Sequence, residues 1–322
     1  MIDWHCIELH CHTNESDGDM TPTRLVDRAS ERGYEAIALT DHNTRSGVEQ
    51  AVEYGASRGL VVVKGIEWTT FWGHIVVTGG GSKLDWRTIT PNNIDDCIAY
   101  AQEVGDMVTL AHPHRLGWPL CSCCHNDFDI ARWQNIDAIE VWSHFNPHRD
   151  KASEQAIAQW QDLLCQGYRI SALYGYDWHE PDLTPPIYAH TYLGCREVAP
   201  RSIVEAVKEG RTYVSTGLRL SVTLTVLGKT YTVGDTAEQG KGKLQLSITP
   251  DGNYYHIDGV EVRGIKIIGD DWCVVEPCDM SGGEWDVDVK GKFLRVELVG
   301  SVNGQEGLVA VTSPIWLDGA IA

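Results

Sequence analysis

The stretch Tyr34-Glu35-Ala36-Ile37-Ala38-Leu39-Thr40-Asp41-His42 is an apolar run of strand length that ends in two side chains able to bind a metal. Before it, residues 22–32 carry helical spacing of apolar positions, and residues 46–58 carry it again after. Thr21-Pro22 suits a helix start, Ser46 and Glu49 have capping-box spacing, and Gly33, Gly59 and Gly210 fall where helices should stop. The same alternation continues outward. Strands are expected at 34–40, 60–65, 74–78, 107–112, 136–142, 170–174 and 190–193, with further helices at 93–104, 152–165 and 201–208. Repeated strand–helix units imply parallel strands with helices outside, and seven of them suggest an α/β barrel rather than an open sheet. Beyond Gly217 the texture changes. Residues 220–227, 243–248, 259–268, 285–289 and 293–299 read as strands separated by Gly- and Asp-rich turns. The expected division is therefore a barrel over 1–216 and a small, sandwich-like antiparallel β-domain over 217–322.

Composition excludes several classes. Across 322 residues the apolar content is 43% and the charged content 22%, as in folded globular chains. The chain shows neither an apolar run near 18 residues nor a basic-then-apolar leader, so a cytoplasmic location and no membrane role are expected. The net charge of −19 speaks against a nucleic-acid polymer as partner, since phosphate contacts need basic patches. Cys6, Cys11, Cys97, Cys165 and Cys195 read as buried thiols. Cys121, Cys123, Cys124 and His125 form a denser group, read as a loop of unligated thiols, with a small metal site or a disulfide as alternatives.

Three pairs share one geometry: His10/His12, His112/His114 and Asp177/His179. Side chains two apart on a strand point the same way, so each pair offers two polar groups to one cavity. Asp41-His42, Glu67 and His74 lie at further strand ends, and parallel strands bring such ends to a common mouth. One HxH pair is unremarkable; the convergence of all of them predicts a centre of imidazole and carboxylate ligands suited to zinc, manganese or iron.

His10-Cys11-His12-Thr13, Ser16-Asp17-Gly18, Thr40-Asp41-His42-Asn43, Gly65-Ile66-Glu67, Ala111-His112-Pro113 and Asp177-Trp178-His179 together resemble the motifs of the PHP (polymerase and histidinol phosphatase) superfamily. Glu209 to Gly217 further resembles its CehA/McbA-type branch. The resemblance implies a distorted (β/α)7 barrel holding two or three divalent metal ions. By it, His10, His12, Glu67 and Asp177 hold one ion. Glu67 bridges to a second with His74 and His112, and Asp17, His42 and His179 hold a third. Asp41 then supports from behind, and a metal-bound water or hydroxide is the nucleophile. His114 matches no ligand position and is placed facing substrate, with a structural role as the alternative, and Arg115 follows a ligand motif as a candidate for phosphate contact. Three carboxylates facing three divalent ions leave an excess of about +3, which favours an anionic, small phosphorylated substrate. Hydrolysis of a phosphomonoester or phosphodiester is the leading expectation, ahead of carbamate or ester cleavage and of a non-catalytic regulatory module. Arg45 is a second candidate for phosphate contact, with a surface ion pair as the alternative for it and for Arg115. His144 and His148 read as loop residues or as lining of the mouth, and Trp68, Trp72, Trp142 and Trp178 read as pocket wall or core. An oligomer is compatible with all of this.

Overall fold

The computed structural model describes residues 2–115, 126–181, 189–252 and 259–318. The Cys121–His125 group, with Trp118 and Pro119, lies outside them. The chain runs β1 (Asp3–Cys11), α1 (Pro22–Glu31), β2 (Ala36–Leu39), α2 (Val48–Arg58), β3 (Val61–Thr70), β4 (Gly73–Thr78), α3 (Ile94–Glu103), β5 (Met107–Leu110), β6 (Ala138–Ser143), α4 (Lys151–Gln166), β7 (Ser171–Gly175), β8 (His190–Cys195), α5 (Pro200–Lys208) and β9 (Thr212–Ser215). Strand β2 is buried at every position and pairs in parallel with β1 and β3, which is why it contains only Ala, Ile and Leu.

The sheet is mixed and does not close as the expected barrel. From β1 the order is β1-β2-β3-β4-β5-β6-β7, and among the described residues no ladder joins β7 to β1; the segment just after β7 meets the end of β1 at the isolated parallel bridge Cys11↔Trp178. Two features of the sequence misled. Gly65 was expected to end a strand, but it lies inside β3, where a Cβ would sit 2.7 Å from Thr40 Cγ2 and 3.0 Å from the Leu39 carbonyl oxygen. It marks a close approach of neighbouring strands. The longer β3 then turns back directly into β4, with no helix between them, so β4 is antiparallel to both β3 and β5. The N-terminal strand β1, absent from the expected set, supplies the sheet's central member between β2 and β8.

The helix signals fared unevenly. Thr21 accepts from the Arg24 amide and caps α1, and Gly33, Gly59 and Gly210 all adopt positive φ after helix ends. The capping box at Ser46–Glu49 does not form. Helix α2 starts one residue later with Gly47 as an uncapped N-cap, and Glu49 pairs with Lys64 instead.

After Gly217 the described chain is all strand and turn: β10 (Leu218–Val226), β11 (Lys229–Thr232), β12 (Thr236–Ala237), β13 (Gly240–Pro250), β14 (Val260–Ile268), β15 (Cys273–Pro277), β16 (Gly283–Val289), β17 (Phe293–Val302), β18 (Gln305–Thr312) and β19 (Ile315–Leu317). Strands β11-β10-β13-β16 make a separate antiparallel sheet. Strand β10 alternates buried and half-open positions, with Leu218, Leu220, Val222, Leu224 and Val226 inward. The remaining strands extend the first sheet, because β18 pairs with β9 and β17 with β18. Among the described residues no helix is long and apolar enough to cross a membrane.

Two contacts fasten this C-terminal run to the strands that lead into the mouth. Ser313 Oγ accepts the Ala172 amide of β7 at 2.9 Å and lies 2.7 Å from Thr212 Oγ1. Gly307 of β18 passes over the 147–149 turn, where a Cβ would come within 2.1 Å of the His148 carbonyl oxygen. His148 itself is buried.

Ser313→Ala should strand the buried Ala172 amide and lower unfolding stability by about 1–3 kcal/mol in urea titrations. An unchanged midpoint would show that this joint carries no stability. Burial and the neighbouring Arg149 charge push the His148 pKa down to about 4 from 6.5. The unfolded chain therefore takes up this proton first, so the contribution is whole above pH 6.5 and is lost as pH falls toward 4. His148→Leu should flatten that acid limb relative to wild type in denaturation midpoints taken across the range.

Candidate metal centre

Residues Glu8, His10 and His12 share one face of β1 and its extension, and each is at most 1% exposed. The segment after β7 is laid against that extension by two backbone hydrogen bonds, from the His12 amide to the Trp178 carbonyl (2.9 Å) and from the Trp178 amide to the His10 carbonyl (3.2 Å). Asp177 and His179, on either side of Trp178, are thereby brought beside His10 and His12. Glu67 enters from the middle of β3, tied to the end of β2 by its amide bond to the Thr40 carbonyl (3.0 Å). His74 enters from β4 and His112 from the turn after β5.

Four buried atoms meet at the centre. His10 Nε2 lies 3.3 Å from Glu67 Oε2 and 3.4 Å from Asp177 Oδ1. His12 Nε2 lies 3.4 Å and 3.1 Å from the same two oxygens. None of the four makes a hydrogen bond of proper geometry, although His42 Nδ1 also stands 2.7 Å from Glu67 Oε2. Donor atoms around a four-coordinate zinc, with bonds of about 2.0–2.1 Å, stand roughly 3.3 Å apart, so this set has the spacing and chemistry of a divalent-cation cage. The other Glu67 oxygen, Oε1, faces His74 Nδ1 at 2.9 Å and His112 Nε2 at 3.3 Å. One carboxylate thus serves two groups of imidazoles. Nearer the surface, Asp17 Oδ1 lies 3.2 Å from His179 Nε2 and 3.5 Å from His42 Nε2, and the His12 ring packs against both of those rings, whose centroids are themselves 5.7 Å apart.

The charges compete openly. Burial works against ionised Glu67, yet His42, His10 and His74 hold its carboxyl well below the usual range, and His10 and His12 do the same for Asp177. Burial opposes a charge on His10, but Glu140, Glu67 and Asp177 outweigh it and raise the pKa. Burial and the adjacent His42 push His12 down to about 3. Asp17 and Asp177 overcome burial at His179 and carry it up to about 9. Protons and cations bid for the same atoms in such a cluster.

The backbone is bent to make it. Asn43, His112, His144 and Asp177 all have positive φ, between 25° and 58°, which only a surrounding scaffold can hold in non-glycine residues. Asp41 is part of that scaffold: it accepts the Thr13 amide (2.6 Å) and the Thr13 and Ser16 hydroxyls (both 2.7 Å), fixing the loop that presents Asp17. Asn43 exchanges two bonds with Thr69 of β3 (2.8 and 2.9 Å).

His114 and Arg115 are not drawn into the cluster. His114 Nε2 meets Gln159 Oε1 at 3.0 Å, and Arg115 binds Ser143 and Asp150. Arg45 is likewise committed to the carbonyls of Gly65 and Ser82. Trp68, Trp142 and Trp178 are core residues. Two residues escaped the sequence reading, and a third was left between two readings. His144, expected in a loop or lining the mouth, puts Nε2 3.4 Å from Asp177 Oδ2. Glu140 accepts from His10 Nδ1 at 2.7 Å. Glu8, its pKa raised by burial to about 8, accepts the His10 and Tyr176 amides. The available signal for the last two was a lone carboxylate within an apolar strand.

Comparison with known proteins agrees with this geometry. Residues 8–112 match the PHP domain. A 77-residue stretch is 42% identical to the 3',5'-nucleoside bisphosphate phosphatase of Chromobacterium violaceum, covering 23% of this chain and 27% of that protein. Over 65 residues it is 40% identical to a 5'-3' exoribonuclease of Haemophilus influenzae, covering 20% and 24%. The chain thus aligns with only about a quarter of these relatives. A crystal structure from Bacteroides vulgatus, a two-domain protein containing a predicted PHP-like metal-dependent phosphoesterase, shares the fold at TM-score 0.55 and 17% identity, over 97% of this chain and 95% of that one. None of these bears on the CehA/McbA-type branch. His10, His12, Asp17, His42, Glu67, His74 and His112 all lie inside the stretch that matches the PHP domain.

Proposed function

We propose that this chain is a metal-dependent phosphoesterase acting on a small phosphomonoester or phosphodiester, with residues 1–216 as the hydrolase unit and 217–322 as an attached β-domain. The observation that carries the reading is the buried set of His10 Nε2, His12 Nε2, Glu67 Oε2 and Asp177 Oδ1, four ligand-type atoms at cage spacing with no hydrogen bonds of their own. Those residues would hold one ion. Glu67, His74 and His112 would hold a second, and Asp17, His42 and His179 a third, in the cluster they form with His12. Divalent ions bound there would supply Lewis acidity toward a phosphoryl oxygen and an activated water at neutral pH.

The chain's own residues do the rest. Arg45 and Arg115 bind protein oxygens, those of Gly65 and Ser82 and those of Ser143 and Asp150, and the centre itself is the proposed receiver of the anion. His144, 32% exposed and against the outer oxygen of Asp177, stands where substrate would enter. The relatives named as a bisphosphate phosphatase and an exoribonuclease support phosphate esters over carbamates. The net charge of −19 favours a small substrate over a polymer.

Chelation should abolish turnover and manganese or zinc should restore it, read with p-nitrophenyl phosphate, bis-p-nitrophenyl phosphate, a nucleoside 3',5'-bisphosphate, a short 5'-phosphorylated RNA and 1-naphthyl carbamate. Activity only on the carbamate would overturn the phosphoesterase reading, and activity only on the RNA would overturn the small-substrate part. His12→Ala and Asp177→Asn should each lose more than about 100-fold in kcat/KM, beyond what loss of an outer partner costs, with unchanged circular dichroism. Wild-type turnover in either variant would sink the ligand assignment.

A further inference from the structure

Strand β6 is buried at every position, and Glu140 stands among Ile139, Val141 and Trp142 at 2% exposure. A carboxylate in such a place is costly unless both oxygens are used. Both are. Oε1 accepts the Nδ1 proton of His10 at 2.7 Å, and Oε2 accepts the backbone N–H of His112 at 2.8 Å. With Nδ1 committed as donor, Nε2 is the His10 nitrogen that faces Glu67 and Asp177, and it would offer its lone pair to a cation that displaces the proton there. The second bond steadies His112 where its backbone has φ +25°, a conformation with little support of its own.

The neighbouring strand makes room for this. A Cβ on Gly175 of β7 would lie 2.1 Å from the Glu140 carboxyl carbon and 2.3–2.4 Å from its oxygens. Gly175 is not among the glycines with positive φ, so space and not backbone freedom explains it.

We propose that Glu140 is a positioning residue for the metal centre. One carboxylate sets the tautomer of His10 and the backbone of His112 together, coupling the two groups that flank Glu67, with Gly175 as its steric counterpart. The inference rests on the metal-dependent reading above. Glu140 also lies within 4.8 Å of ligand atoms of His10 and His112, but it faces the His10 nitrogen turned away from the cage, which is the place of a support and not of a ligand.

The test uses the full chain and zinc or manganese alone, in competition with a chelating dye. Glu140→Gln keeps shape but cannot accept at both positions, and should weaken binding by about 10–100-fold with an unchanged number of ions and a metal-free melting temperature near wild type. Gly175→Ala should weaken it through the same carboxylate, and the double variant should be no worse than the poorer single one. In metal-free protein, the downfield imidazole N–H proton signal of His10 should be lost in Glu140→Gln. Wild-type affinity in Glu140→Gln, loss of one whole ion, or an unmoved His10 signal would each overturn the proposal. A wild-type chain that binds neither metal but keeps the Glu140-dependent His10 signal would sink the phosphoesterase reading and spare the strut.

Discussion

Two carboxylates, Glu67 and Asp177, are held ionised below the surface by a ring of imidazoles, and the N-terminal fold is arranged around that fact. Ionised carboxylates out of water are tolerable only when opposite charge or donors compensate them closely. At 0% exposure Glu67 has His10, His12 and His42 on one oxygen and His74 and His112 on the other. Five residues from β1 and from the segments around β2, β4 and β5 must therefore reach one point. A mixed sheet with β3 long enough to carry Glu67 in its middle meets that demand. The turn into β4 then returns His74 to the same side, opposite Thr69.

Compensation by imidazole alone leaves the centre strained and contested. His10 is driven toward its charged form while His12, two residues away, is driven to the neutral one, and the backbone is bent at Asn43, His112, His144 and Asp177. Such strain survives only where the surroundings over-determine it. Asp41 under the 13–17 loop, Asn43 against Thr69, and Glu140 beneath His10 and His112 are those surroundings. Those of Asp41 and Glu140 are short, charge-assisted contacts and that of Asn43 a pair of neutral ones, and together they fix position.

Much of this was legible because a strand's two-residue period is visible in sequence: His10/His12 and Asp177/His179 could be seen to share a face before any fold was known. What stayed hidden is long-range. Glu140 meets a residue 130 positions away and carries no spacing signature, so only its isolation among apolar neighbours marks it. His114 and Arg115 looked functional beside His112, but Gln159 and Asp150 claim them from 45 and 35 residues downstream. Gly65 reads alike whether it ends a strand or admits a neighbour, and that ambiguity placed Glu67 at a strand end instead of mid-strand. The alternation of strands and helices similarly suggested closure, whereas closure depends on how β7 meets β1, and there a single bridge is formed.

That single bridge gives the C-terminal strands a structural role. Strand β7 leads directly into Asp177 and His179, yet its one ladder partner among the described residues is β6; on the other side Tyr174 bonds the Thr191 hydroxyl of β8, and the bridge Cys11↔Trp178 forms just beyond the strand. The lower part of β7 is held instead by Ser313, which accepts the Ala172 amide, and by Thr212, which donates to the Ala172 carbonyl. Strand β18 adds a second hold by passing over His148, four residues beyond His144. Thr191, Thr212 and, from the segment after Gly217, Ser313 together hold β7 where a closing ladder would have held it. An open sheet can keep Asp177 in a strained conformation at the mouth because its far edge is clamped by chain from the other end of the sequence.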